Sequence, residues 1–294
     1  MTKPENINEA INRLIRENYT TGMTDRAFQK MVQRVYTECS KELDSGKYTG
    51  DTDDYLFIGY NTEGKQAKLR YFKKSLELDE FNYDALLWII KLTYKKDTDL
   101  VLAYETAVQD AALHMKEEGY FTKDNIGHFW GLLYTRPYMR LRLQYVNALI
   151  KCSMYKKALE ECRDMIRLNR KDNLGMRFKL MFLYAYFEDG KAALDLYKEY
   201  DCYDAPEMLL ALSIIYYKAN DFKNAKKYLR KLRTQVKDTN YFFTCLKFQD
   251  LKARFPKEFP NSYPINSLAH LIAIYQENKY IFEDLESYIE WTSS

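Results

Sequence analysis

Apolar residues recur along this chain with helical spacing, interrupted at only a few places. Between residues 5 and 44 one stripe runs through Ile7, Ile11, Leu14 and Ile15. A second runs through Phe28, Met31, Val32, Val35 and Tyr36, after a break at Thr20-Thr21-Gly22. Positions three and four apart share a helix face, so two amphipathic helices are predicted. Residues 45–64 are rich in Gly, Ser, Thr and Asp and read as a hinge or flexible linker. Beyond it the pattern predicts helices over Lys65–Leu78, Asp84–Tyr94 and Leu100–Met115, then an irregular stretch from Glu118 to Gly131. Three helix pairs follow: Tyr138–Lys151 with Tyr155–Leu168, Asn173–Phe187 with Lys191–Tyr200, and Pro206–Lys218 with Phe222–Val236. Pro256, Pro260 and Pro264 each remove a backbone donor, so Lys252–Pro264 is expected to be extended or turning. A last pair, Asn266–Glu277 and Lys279–Trp291, would cap the array.

Each of the three clear pairs carries a small residue at its crossing. These are Ala158, Ala193 and Ala225, spaced 35 and 32 residues apart. A helix-pair period near 34 with small crossing residues is the signature of the tetratricopeptide repeat (TPR). The expected fold is therefore all-α: a TPR-like α-solenoid, a right-handed superhelix of antiparallel helix pairs. It would cover residues 61–294, with residues 1–60 as an N-terminal helical extension and linker.

Composition narrows this further. With 10 Gly and 6 Pro in 294 residues, a β-sandwich or Rossmann-type chain is disfavoured. The balance of 45 basic against 42 acidic residues, net +3, is too even to demand a nucleic-acid or membrane partner. Cys39, Cys152, Cys162, Cys202 and Cys245 form no C-x-x-C and read as small hydrophobes in a reducing compartment. No apolar leader core and no run of about 18 apolar residues is present, so a cytoplasmic location is expected.

Segment 127–140, GHFWGLLYTRPYMR, resembles a group of bacterial TPR proteins in which a similar F-W-G…T-R-P-Y-M-R run leads into the repeats. That group is distantly similar to the TPR region of the suppressor-of-tumorigenicity-7 family. The resemblance continues through 168–177, LNRKDNLGMR, and the Pro-spaced 255–264, FPKEFPNSYP, covering about residues 118–290. Tyr134 stands where an acidic residue is expected before Thr-Arg-Pro, and Arg170 where a TPR has Pro between repeats. The resemblance implies an α-solenoid with a binding role and implies no reaction.

The residues themselves point away from catalysis. There is no G-x-G-x-x-G, Walker, H-E-x-x-H or G-x-S-x-G motif. His114, His128 and His270 lack metal-ligand spacing, and Cys152 with His128 reads as a core Cys and a packed or surface His rather than a dyad. No cofactor or metal is expected. Arg136 and Arg140 form an anion clamp or fix the irregular segment onto the array. Counting along the first helix of each pair places Arg140, Asn147, Lys151, Phe178, Phe182, Tyr186 and Tyr217 in the concave groove. Such a surface suits a peptide with apolar anchors, unless the C-terminal helices fold back over the rings. The expected function is a non-catalytic protein–protein interaction module or scaffold. The alternative is a nucleic-acid-associated protein using Lys226, Arg230, Arg233 and Lys237, which share one face of the basic helix 223–237.

Overall fold

A computed structural model describes residues 5–248 and 263–292. Over these residues the chain is all-α apart from one short parallel pairing, β1 (Glu5–Asn6) with β2 (Tyr48–Thr49), in which Glu5 faces Tyr48 and Asn6 faces Thr49. The chain divides into two compact units, residues 1–154 and 155–294. The proline-spaced run 252–264 lies outside the described residues except for Tyr263 and Pro264. No helix among the described residues is long and apolar enough to cross a membrane.

In the first unit, polar caps set most of the helix starts. Asn6 accepts from the Asn8 and Glu9 amides to begin α1 (Ile7–Asn18), and Thr24 accepts from Ala27 to begin α2 (Asp25–Asp44). The segment expected as a linker instead holds α3 (Thr52–Asn61). Its Asp-rich start is a reciprocal cap: Asp51 accepts from the Asp54 amide and Asp54 from the Asp51 amide. Asp54, 3% exposed, also accepts from Asn6 Nδ2 at 2.8 Å and from Asn8 Nδ2, tying the start of α1 to the start of α3. Gly59 lets α3 approach α4 (Lys65–Leu78); a Cβ there would sit 2.5 Å from the Phe72 ring. Then follow α5 (Tyr83–Thr93), α6 (Asp97–Glu117) and α7 (Arg136–Lys151), with α5 and α6 both packed on α7.

The second unit begins with α8 (Tyr155–Leu168), α9 (Met176–Phe187), α10 (Gly190–Glu199), α11 (Pro206–Lys218) and α12 (Phe222–Gln235). The pairs α9 with α10 and α11 with α12 are where the repeat predicts them, and Ala158, Ala193 and Ala225 are fully buried. The start of α9 is later than the apolar pattern indicated. Asp172 and Gly175 take positive φ, and Asp172 accepts from the Met176 and Arg177 amides at 2.6 and 2.9 Å, fixing the first turn. A further helix, α13 (Thr239–Lys247), was not legible in the sequence; its buried face carries Phe242, Phe243 and Cys245. The closing pair is α14 (Leu268–Glu277) followed not by one helix but by two short ones, α15 (Lys279–Phe282) and α16 (Glu286–Thr292).

Helix α11 shows why these closing elements are where they are. Every residue from Met208 to Ile215 is buried, so no face of the helix meets water. Tyr288 of α16 is fully buried and donates from its hydroxyl to Ser213 Oγ at 2.9 Å; Ser213 in turn donates to the Ala225 carbonyl at 3.0 Å. His270 of α14 meets Glu207 at 2.8 Å, and α15 packs on α9.

Many of the 27 tyrosines therefore serve as core. Burial pushes the Tyr104 and Tyr197 hydroxyls up to about 12, and raises Tyr280 and Tyr288 further. The unfolded chain ionises its tyrosines near pH ~10, whereas the folded chain resists ionisation. Stability is thus fully present below that pH and falls as pH rises through the window up to about 12. Urea midpoints should drop from pH 9 to pH 11.5; an unchanged midpoint would mean that the rings are solvated.

Candidate functional site

The ring residues expected in an open groove of the second unit are largely covered by the chain itself. Phe182 is 1% exposed and belongs to the core, so it offers no surface to a partner. Tyr217 packs edge-on to Phe222 and Tyr288 and tilts against Trp291, with ring centroids 5.2–5.5 Å apart. Tyr186 keeps partial exposure but meets Tyr155 at 4.5 Å and Tyr280 at 5.9 Å. Phe178 is half-buried beneath the Arg177 guanidinium, 4.3 Å from its ring centre. The reason is visible in the sequence of α9 and α11: KLMFLYAYF and MLLALSIIYY are apolar on all sides. A helix lining an open groove needs one wettable face; α11 has none from Met208 to Ile215, and α9 exposes mainly its last rings, Tyr186 and Phe187.

In the first unit the groove positions lie on α7. Lys151 pairs with Asp97 at 2.8 Å and Asn147 is half-buried. Arg140 behaves differently, because it borders an open cavity of about 660 Å³. Its Nε donates to Asp84 Oδ1 at 2.7 Å and its Nη2 donates to Asp84 Oδ2, a bidentate pair that fixes the guanidinium against α5. Tyr83, Phe81 and His114 also line the cavity. The Tyr83 hydroxyl is hydrogen-bonded to His114 Nδ1 at 2.6 Å, and Phe81 stacks flat on the imidazole, 3.4 Å between centroids.

The rim is shaped by the irregular segment between α6 and α7. Two 3-10 turns, Phe129–Gly131 and Leu133–Thr135, are pinned from below. Thr135 is fully buried and donates to the Leu132 carbonyl at 3.0 Å and to that of Phe129. Arg136 Nε donates to the Trp130 carbonyl at 2.8 Å and the guanidinium lies over the indole. With its polar groups held inward, the turn presents Leu133 and Tyr134 outward, 67% and 76% exposed. Arg136 is thus engaged in holding the segment. Leu133 and Tyr134 were missed as site residues, although Tyr134 was legible as a departure from the expected acidic position.

Carboxylates gather on the same cavity: Asp53, Asp79, Asp84 and Glu118 all line it. Asp53 is pushed above the usual carboxylate range by partial burial and by the negative charges of Asp51, Asp54, Asp79 and Asp84. Only Asp84 has Arg140 as a bidentate partner, so the cavity favours a cation.

The basic stripe does not form a continuous face. Lys226 and Arg230 are exposed on α12, but Arg233 turns inward to donate to the Thr292 carbonyl at 2.7 Å, and Lys237 lies past the helix end. Among the described residues no group of three or more His, Cys, Asp or Glu is arranged to hold a metal ion.

No family model matches this chain, and no curated protein matches it. Among solved structures, the assembly chaperone of RpL4, Acl4 (residues 1–338), aligns over 99% of this chain and 96% of its own, at 10% identity and a TM-score of 0.31.

The Arg140–Asp84 pair is a test of the cavity's geometry. A double-mutant cycle with Arg140→Met and Asp84→Asn should give a coupling of about 1 kcal/mol in unfolding free energy, weakening with added salt. Strict additivity would show that the two side chains do not meet.

Proposed function

We propose that this chain is a non-catalytic protein-interaction module of the TPR type, related to the T-R-P-Y-M-R group, and that it takes a partner segment into the cavity of its first unit. The single observation carrying this reading is the open cavity of about 660 Å³ whose rim is Leu133 and Tyr134 and whose wall collects unneutralised carboxylates. Adjacent large apolar side chains facing water beside a concave site mark contact surfaces more often than chance. The fitting segment carries an aliphatic or aromatic anchor for Leu133, Tyr134 and Phe81, and a Lys or Arg for Asp53 and Glu118. Helix-pair repeats bury their own faces by stacking and commonly use the remaining concavity for binding.

The concave face of the second unit gives this function less support, since Phe182 is core and Tyr217 packs on Tyr288 and Trp291 of α16, leaving Tyr186 as its exposed ring. Nucleic-acid binding also has less support. Arg233 is committed to Thr292, and Lys231 to Asp204 at 2.9 Å. The free cysteines, of which Cys39, Cys162 and Cys245 are buried, fit a reducing, cytoplasmic setting.

The test is site-specific photo-crosslinking in source cells, with the reactive residue placed at position 134 or, separately, at 186. A discrete partner should crosslink from 134 and not from 186, and the yield should fall at least about tenfold in Asp53→Lys/Glu118→Lys. Crosslinking that is equal at both positions, or untouched by charge reversal, would refute the site.

A further inference from the structure

Helix α6 turns one face to the core, through Tyr104, Ala107, Ala111 and Met115, and leaves the opposite face uncovered. Along that opposite face run Asp99, Leu102, Thr106, Gln109, Leu113 and Lys116, all of them exposed. Successive members are three, four, three, four and three residues apart, the spacing by which one helix packs along another. Leu102 is 63% exposed and Leu113 61%. None of the six lines the cavity of the first unit.

Read backwards, this row is its own complement. When an identical helix is laid antiparallel on it, with a two-fold axis level with Ala107 and Val108, Leu102 of each copy meets Leu113 of the other, Asp99 meets Lys116, and Thr106 meets Gln109. The axis gives every meeting twice. Asp99 and Lys116 have no ion-pair partner among the described residues, so both charges are available. The acids beside the row do not oppose one another. Glu105 lies on one edge, across from Ala112 of the other copy, and Asp110 lies on the other edge, across from Ala103. One exposed leucine alone indicates nothing. Two leucines and two opposite charges that all pair through a single axis indicate a helix of the same sequence, because the match holds at every position of the row.

We infer that the outer face of α6 is a self-association surface, on which a second copy of this chain docks through its own α6, antiparallel and two-fold related. The leucine pairs lose water on contact. Thr106 and Gln109, at the centre, fix the register at some cost in strength. Asp99 and Lys116 set the direction, because a parallel pair would put Asp99 against Asp99 and Lys116 against Lys116. The helix has 21 residues and is about 31 Å long. One seam of that length is a small interface, so the dimer is weak, with a Kd of roughly 10–100 µM. The surface is independent of the partner cavity.

Sedimentation velocity of the full chain from about 5 to 500 µM should show the weight-average coefficient rising toward that of a dimer. Asp99→Lys and Lys116→Asp, each tested alone, set like charges together twice per dimer and should weaken association at least about tenfold. Mixed in equal amounts, the two variants place a lysine against an aspartate at both ends, and should associate as tightly as the unaltered chain. A variant weakened only by a loss of fold could not be rescued in this way. Leu102→Gln/Leu113→Gln should abolish association while circular dichroism stays unchanged. A chain that remains monomeric over the whole range would overturn the inference, and a mixture no tighter than either variant alone would overturn the antiparallel register. Association lost in Asp53→Lys/Glu118→Lys but kept in Leu102→Gln/Leu113→Gln would move the contact to the cavity and refute the α6 surface.

Discussion

A helix that is apolar around its whole circumference must be enclosed, and the second unit is organised by that constraint. Helix α11 has no polar face from Met208 to Ile215, so stacking it on α9 and α12 covers only part of it. The remaining face is closed by the chain's own last helices. Tyr288 is the piece that makes the closure specific: fully buried, it brings the bulk of an aromatic ring and one hydroxyl whose partner, Ser213, lies on α11 itself. A buried hydroxyl without that partner would cost about 1–3 kcal/mol, so the register of α16 on α11 is fixed by chemistry as well as by shape. The surface that a simple repeat would leave open to a ligand is thereby committed to folding.

The first unit solves a different problem and ends with a different surface. Its helices are tied by polar side chains at their ends. Asp54 gathers the starts of α1 and α3, and Ser75, Thr52 and Asn82 bond one another where α3, α4 and α5 begin or end. The segment between α6 and α7 carries Gly119, Gly127 and Gly131 and does not continue the helical pattern. It folds into 3-10 turns anchored by Thr135 and Arg136, and its two least anchored residues, Leu133 and Tyr134, face water. Concavity, exposed apolar rim and excess carboxylate coincide there, and that coincidence supports the interaction reading.

The helix-pair period of the middle third was plain in the sequence because it rests on local periodicity and on small residues at crossings. Helices α4, α8 and α11 begin and end where the pattern placed them. What escaped notice depended on contacts distant in sequence. The acidic turn before α3 reads as a linker until Asp51 and Asp54 are seen to cap one another. Helix α13, TNYFFTCLK, has β-branched and aromatic residues of weak helical preference and owes its form to Phe242 and Phe243 being buried. The groove residues were assigned by register alone, which identifies the helix face but not whether another element covers it. The all-round apolarity of α9 and α11 was the available signal against an open groove at Phe182. The cavity of the first unit had almost none, because Asp53, Phe81, His114 and Tyr134 come from four separate stretches of chain.

The central claim is that the aromatic face of the second unit is closed by the chain's own C-terminal helices while the rim of the first unit is open. Hydroxyl-radical footprinting of the intact chain, read residue by residue by mass spectrometry, measures both at once. The account predicts rapid modification of Tyr134 and Leu133, with Phe182 and Tyr288 protected to the level of other core rings. Modification of Tyr288 and Phe182 as fast as that of Tyr134 would contradict it, and would return the second unit's concave face to the role of binding surface.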